Sequence, residues 1–240
     1  MSPTALVLGG GRGLGRALVR FLSGQNFSLV CVTNSQESRD SLLAEIPSPP
    51  SPLLVEAFDY CDRRLSESLL NRLELDGRRE DFPVLAIYCA GYLFSRQRLV
   101  EEPVPEIDRE IDVNFRAPLF WSTLLSRHFA DRGRGGHLFI SSGVASSPRP
   151  GWGAYGVAKG ALEALSIQLS LDLPSPLFSL TINPGAMATR MRRIAYPEEN
   201  PETIPSPEAA GKRIGRLCLE LVHGQGREYN GKRLMIGDLA

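Results

Sequence analysis

Tyr155 and Lys159 stand four residues apart in the run Ala154-Tyr155-Gly156-Val157-Ala158-Lys159. On a helix, that spacing puts both side chains on one face, one turn apart. A free phenol has a pKa of about 10 and is a poor acid or base near neutrality. A neighbouring ammonium favours the phenolate and lowers that value, so the phenol becomes able to exchange a proton with a substrate oxygen. The same pair also suits an ordinary helix surface, so its meaning rests on what surrounds it.

A second chemical feature lies near the start of the chain. Gly9-Gly10-Gly11-Arg12-Gly13-Leu14-Gly15 follows the apolar run Thr4–Leu8 and opens directly into a helical pattern. Glycines at a strand-to-helix turn allow a pyrophosphate to approach the backbone and meet the free N–H groups of the helix start. A GxxxxGK[ST] loop would need Lys and Ser or Thr after its last glycine, where Arg16 and Ala17 stand. GxGxxG also fails, because Gly11 and Gly13 would then require glycine or alanine at Arg16. GxxxGxG fits through Gly9, Gly13 and Gly15, with a glycine-rich structural turn as its rival.

The elements that must carry these residues alternate along the chain. Strand-like runs are Thr4–Leu8, Phe27–Thr33, Leu53–Phe58, Val84–Cys89, His137–Ser141, Leu177–Ile182 and Arg233–Ile236. Between them fall helical patterns at Leu14–Ser23, from Ser35 to about Ile46, Leu65–Leu75, Ala154–Leu171 and Glu208–Val222. A longer one runs from about Pro105 to Ala130 and is expected to bend near Pro118. Pro47–Pro52 holds four prolines and reads as a connecting loop. Strands apolar on both faces and alternating with helices predict one α/β domain spanning 1–240, a doubly wound Rossmann-type sheet of about seven mostly parallel strands with helices on both faces. Ligands of such sheets sit beyond the carboxyl ends of the strands. Both chemical features follow strands.

Composition narrows the class. The 240 residues carry 27 basic and 27 acidic side chains, so no global field draws the chain to nucleic acid or an anionic membrane. Cys31, Cys61, Cys89 and Cys218 are scattered without a CxxC pair, which predicts reduced thiols in a cytoplasmic protein rather than a disulfide framework. His128, His137 and His223 are too far apart for a metal motif, and no metal is expected. No secretory leader is apparent at the start, and no apolar run approaches the roughly 20 residues of a membrane helix.

Taken together, Gly9-x-x-x-Gly13-x-Gly15 and Tyr155-x-x-x-Lys159 resemble the short-chain dehydrogenase/reductase family, as do Ile140-Ser141-Ser142, Asp112-Val113-Asn114 and Asn183-Pro184-Gly185 with Thr189. The order matches over essentially Thr4 to Ile236. The resemblance implies a catalytic set of Asn114, Ser142, Tyr155 and Lys159. Ser142 would polarise a substrate oxygen that Tyr155 protonates, and Asn114, at a helix kink, would support a proton relay. It also implies that Gly9, Arg12, Gly13, Leu14, Gly15, Asn34, Ser35, Asp59, Tyr60, Ala90, Gly91, Tyr155, Lys159, Pro184, Gly185, Met187 and Thr189 bind a nicotinamide dinucleotide. An acid at the end of the second strand would bond an adenine ribose 2′-hydroxyl, but this strand ends Cys31-Val32-Thr33-Asn34-Ser35. With Arg12 placed to reach a 2′-phosphate, NADP is favoured over NAD.

Two departures from the family pattern stand out. Leu8 replaces a threonine, and Tyr88-Cys89-Ala90-Gly91 replaces Asn-Asn-Ala-Gly, removing a polar side chain that steadies the central strands. The function so implied is hydride transfer between NADP and a small-molecule carbonyl or alcohol. The alternative is a catalytically weak NAD(P)-binding regulator or structural protein on the same fold. Residues 186–207 are expected to form a substrate lid, in which Arg190, Arg192 and Arg193 read as a solvated basic face. Trp152, Met187 and Met191 are expected in an apolar pocket wall, and the resemblance implies a homodimer or homotetramer.

Overall fold

The computed structural model describes residues 2–76 and 82–239. In chain order the strands and α-helices are β1 (Thr4–Leu8), α1 (Gly13–Ser23), β2 (Ser28–Thr33), α2 (Gln36–Glu45), β3 (Leu53–Ala57), α3 (Arg63–Asp76), β4 (Leu85–Tyr88), α4 (Val104–Ile111), α5 (Ala117–Arg132), β5 (Gly136–Ile140), α6 (Gly143–Ser146), α7 (Gly153–Asp172), β6 (Phe178–Asn183), α8 (Arg190–Ala195), α9 (Pro207–Val222) and β7 (Arg233–Met235). The strands form one parallel sheet ordered β3-β2-β1-β4-β5-β6-β7. The chain winds outward from β1 to β3, returns, and continues from β4 to β7. The gap between β1 and β4 is therefore the topological switch point, where a ligand crevice opens at the carboxyl ends of the strands.

Strands β1, β4, β5 and β6 are buried throughout, as central strands covered on both faces must be. Alternate side chains divide into two cores. Val7, Cys31, Ile87, Leu138 and Leu180 face α1 and α9, whereas Leu6, Val30, Ala86 and Phe139 face Trp121, Leu125 and Phe129 of α5. Helices α1 and α9 pack closely because Gly211 and Gly215 leave room: a Cβ at Gly211 would lie 2.8 Å from Ala17 Cβ, and one at Gly215 would lie 2.1 Å from the Phe21 ring. Ser35 caps α2 by accepting from the Ser38 N–H at 3.2 Å, and Gly24 ends α1. Residues 47–52 form a loop, as their prolines predict.

The long helical stretch is interrupted close to Pro118, as expected. Pro118 lies in the first turn of α5. The irregularity is a π-helical turn at Asp112–Arg116, between α4 and α5. Asn114 sits at its centre. Among the described residues, no helix is long and apolar enough to cross a membrane.

Candidate active site

The glycine loop leaves β1 and wraps the start of α1. Gly9 and Gly13 take positive φ values of +92° and +54°, which side-chain-bearing residues rarely adopt. A Cβ at Gly9 would lie 2.4 Å from Ala90 N, and one at Gly15 would lie 2.2 Å from the Gly9 carbonyl oxygen. The Gly9 and Gly10 N–H groups both donate to Val32 O, fixing the loop against β2. The result is a shallow backbone cradle beside a helix N-terminus.

From this cradle a cavity of about 640 Å³ runs across the switch point. Gly9, Arg12, Gly13, Leu14, Gly15, Asn34, Asp59, Tyr60, Ala90, Gly91, Ser142, Tyr155, Lys159, Pro184, Gly185, Met187 and Thr189 all line it. The sequence-derived set is thus largely gathered in one place, with two exceptions. Ser35 does not line the cavity; its hydroxyl is committed to Ser38. Asn114 lies behind the wall, fully buried. Tyr60 contributes to the lining, but its hydroxyl points away and donates to the Val113 carbonyl. Asp59 pairs with Arg109 at 3.0 Å and accepts from the Cys61 N–H, and these partners outweigh partial burial in holding its carboxyl below its ordinary pKa.

At the far end, Ser142 follows β5 and Tyr155 lies in the first turn of α7. Both line the cavity, and the Ser142 side chain acts on the Tyr155 phenol. Burial pushes the Tyr155 pKa up to about 12, while Ser142 pulls the other way. The downward shift expected from Lys159 is therefore not what this chain displays. Lys159 Nζ lies 5.8 Å from the Tyr155 ring centroid and donates to the Ile140 carbonyl at 2.9 Å. Burial lowers the Lys159 pKa to about 8, opposed by Cys89 and by Glu163 one turn further along α7. Glu163 is itself held by Arg233 at 2.8 Å and by the Ser141 hydroxyl.

Asn114 explains how the helix irregularity serves the cavity. Its Nδ2 donates to Tyr92 O at 2.7 Å and to Glu110 O at 2.8 Å, while Oδ1 accepts from Tyr92 N at 3.2 Å. The π turn turns this side chain toward the segment after β4, clamping the backbone next to Ala90-Gly91. Thr189 caps α8 by accepting from Arg192 N at 3.2 Å, and its methyl group would lie 3.4 Å from a Cβ at Gly13. Asn183 Oδ1 accepts from Gly185 N, fixing the turn after β6.

The outer wall includes residues that no sequence motif marked. Tyr92, Leu93, Arg109, Val144, Arg149, Ile194 and Tyr196 join Trp152, Met187 and Met191. The Trp152 ring lies 5.7 Å from Tyr155 and 6.2 Å from Tyr196, so the expected apolar wall is present. Arg192 is not simply solvated: it forms a bidentate pair with Glu199, both bonds 2.6 Å, and covers the Tyr196 ring at 3.8 Å.

Comparison with known proteins agrees with this arrangement. A family model described as short chain dehydrogenase matches residues 3–200. Carbonyl reductase [NADPH] 2 of Sus scrofa is 28% identical over 191 residues, covering 79% of this chain and 73% of that protein. A short chain dehydrogenase of Pseudocercospora fijiensis is 25% identical over 192 residues, and the aligned region spans only 60% of its length. Among solved structures, a short chain dehydrogenase from Pseudomonas syringae superposes with a TM-score of 0.84 at 28% identity, covering 98% of this chain and 94% of that one. Because the family match extends from β1 through the Tyr155 helix and into the segment beyond β6, this chain belongs to the short-chain dehydrogenase/reductase family of oxidoreductases.

Proposed function

We propose that this chain is an NADP-dependent carbonyl reductase or alcohol dehydrogenase in which Tyr155 is the general acid/base. The observation that carries this reading is the Ser142–Tyr155 hydroxyl pair at the end of the cavity, opposite the glycine cradle and with the Lys159 ammonium behind it. Gly9 packs against Ala90 and Gly15 against the Gly9 carbonyl more closely than any side chain would allow, and the backbone-lined cradle so formed suits a dinucleotide. Gly9, Gly13, Leu14 and Gly15 would hold its pyrophosphate, and Asp59, Ala90 and Gly91 would border its adenosine half. Pro184, Gly185, Met187, Thr189, Tyr155 and Lys159 would border the nicotinamide half. Arg12 lines the cavity and makes no ion pair with a described residue, and Asn34 puts no acid at the end of β2, which suits a 2′-phosphate. The carbonyl reductase [NADPH] relative supports the same cofactor.

When bound, the nicotinamide supplies or takes up hydride. The rest of the work falls to this chain. With its pKa raised by burial, Tyr155 is a neutral phenol at pH 7, the form needed to donate a proton to a carbonyl oxygen. Ser142 orients that oxygen by hydrogen bonding, and its O–H stabilises the phenolate left after transfer. Lys159, with a pKa of about 8, is mostly ammonium at pH 7 and placed to favour that phenolate. Asn114 supports the site indirectly, through its clamp on Tyr92. For alcohol oxidation the same groups work in reverse.

Residues 186–207 are proposed as the lid over this end. Met191, Ile194 and Tyr196 face the cavity, and Ala188 N donates to Pro205 O, tying the two ends of the segment together. We further propose a cytoplasmic homodimer or homotetramer paired through α5 and α7, whose Leu119, Val157, Ile167 and Leu171 are exposed apolar side chains. The test of the function is consumption of NADPH and NADH with a panel of aldehydes, ketones and quinones. Carbonyl-dependent oxidation, faster with NADPH at subsaturating cofactor, is expected. Tight NADPH binding without turnover of any carbonyl would point instead to a regulator.

A further inference from the structure

The cavity wall carries more positive charge than a dinucleotide uses. Among the described residues lining it, Asp59 is the only acid, against five arginines and Lys159. Most of these cations already have a partner or a task. Arg109 is held by Asp59 and Arg192 by Glu199, and Lys159 donates to the Ile140 carbonyl. Arg12 would meet the 2′-phosphate. Arg190 follows Thr189, whose methyl group stands 3.4 Å from where a Cβ on Gly13 would lie, and so belongs to the phosphate end.

Arg149 is left over. It makes no hydrogen bond or ion pair with another described residue. One of its terminal nitrogens lies 3.9 Å from the position a Cβ would take on Gly143, the residue after Ser142. Its charge therefore stands beside the serine that orients the substrate oxygen, away from the glycine cradle. In Pro148-Arg149-Pro150 the first proline fixes its own φ and the second restricts Arg149 to extended backbone, so the loop presents the side chain from a stiff base. The side chain is exposed at the mouth, where the cavity adjoins an outer groove that Arg149 also lines.

A second guanidinium adds to the field. Arg96, from the segment after β4, lies over the Trp152 ring at 5.4 Å and the Tyr196 ring at 4.7 Å, again without an acidic partner among the described residues. A Cβ at Gly151, whose φ is +82°, would lie 3.4 Å from it, which puts Arg96 against the loop that carries Arg149. Glu102 and Glu110 do not offset these charges at the wall. They are buried, accept from the Ala154 and Phe94 N–H groups, and do not line the cavity. Unpaired cations at a cleft concentrate anions, and the planar guanidinium fork matches a carboxylate.

We propose that the substrate is an oxo acid, whose carboxylate Arg149 holds while its carbonyl meets Ser142 and Tyr155 and its apolar body lies along Trp152 and Tyr196. This deepens the carbonyl reductase reading and rests on it. In reduction the C=O group becomes CH–OH. The carbon takes hydride, with its two electrons, from NADPH, which leaves as NADP+. The oxygen takes the Tyr155 proton, which water replaces, and the carboxylate is unchanged.

The probes are 3-formylbenzoate and 4-formylbenzoate with their methyl esters, flat aldehydes that suit an aromatic wall and differ in charge. For the better acid, kcat/KM is expected to exceed that of its ester by about tenfold or more. The ester is the more electron-poor aldehyde, so intrinsic reactivity runs against this order. In Arg149→Gln the ratio should fall to about one, with the loss on the acid appearing in KM rather than kcat. Arg149→Lys, which keeps the charge without the fork, should restore part of the preference. An ester reduced as well as its acid by the unaltered chain, or a ratio unmoved in Arg149→Gln because acid and ester fall together, would overturn the proposal. Absence of turnover with acids and esters alike would instead overturn the carbonyl reductase reading. Binding then decides the anion site: isophthalate, which has no aldehyde to reduce, should raise the Tm of the NADPH-loaded chain by about 3 °C at roughly tenfold excess over its Kd. The same shift in Arg149→Gln, or none in the unaltered chain, would remove the site as well.

Discussion

Tyr88 Oη lies 3.0 Å from His137 Nδ1, and His137 Nε2 lies 3.0 Å from Ser126 Oγ, forming a buried chain from β4 through β5 to α5. The family's asparagine at position 88 is thus replaced by a different polar link between the central strands. The tyrosine reaches across to a histidine on the neighbouring strand instead of bonding nearby.

That link gives a stability signature. Burial lowers the His137 pKa from 6.5 to about 3. Above pH 6.5 the imidazole is neutral in both folded and unfolded chains, and its contribution is intact. As pH falls toward 3, the unfolded chain takes up the proton first, costing up to about 1.4 kcal/mol per pH unit. His137→Phe should lose about 1–3 kcal/mol at pH 7 by orphaning the Tyr88 and Ser126 hydroxyls. It should also show a shallower loss between pH 6 and 4 than the unaltered chain. Urea denaturation at pH 7, 5.5 and 4 checks both.

Asn114→Ala removes three hydrogen bonds at once and leaves both Tyr92 backbone groups without their side-chain partner. A loss of about 2–4 kcal/mol in denaturation is expected, on the scale of unsatisfied buried polar groups. Because the clamp lies beside Ala90-Gly91, NADPH affinity should fall with it, which fluorescence titration would measure.

Arg12→Ala tests cofactor choice. Loss of a charge-assisted bond to the 2′-phosphate should raise the Kd for NADPH by about tenfold or more and leave NADH nearly unaffected. Equal losses for both cofactors would show that Arg12 serves the shared pyrophosphate instead.

Ser142→Ala removes a side chain that favours the Tyr155 phenolate. In carbonyl reduction kcat should fall by about 10²-fold through lost oxyanion stabilisation, with NADPH affinity little changed. Steady-state rates and NADPH titrations of the variant and the unaltered chain at pH 7 check it.

Much of this architecture was legible in the letters. The buried strand Thr4–Leu8, the glycines after it and the Ser35 cap each follow from local rules, because backbone space and capping are decided within a few residues. The interruption near Pro118 was legible from the proline, but not its form, a π turn whose Asn114 side chain bonds both backbone groups of Tyr92. Tyr60 and Ser35 were assigned to the cofactor by their place in the chain, yet their hydroxyls are taken by Val113 and Ser38. Nothing in the acidic run Glu101 to Asp112 distinguishes Glu102 and Glu110 from solvated neighbours; only Gly153 and the fold around it bring them inside. Lys159 shares the Tyr155 face as the spacing predicts, but burial outweighs its charge in setting the phenol's pKa.

The most direct measurement compares the unaltered chain with Tyr155→Phe, following both NADPH binding and NADPH-dependent reduction of a carbonyl. Removing the hydroxyl leaves the glycine cradle untouched, so NADPH should bind within about threefold of its original affinity, while kcat should drop by about 10²–10⁴-fold with the loss of proton transfer. A Tyr155→Phe chain that still reduces the carbonyl at a comparable rate would contradict the account.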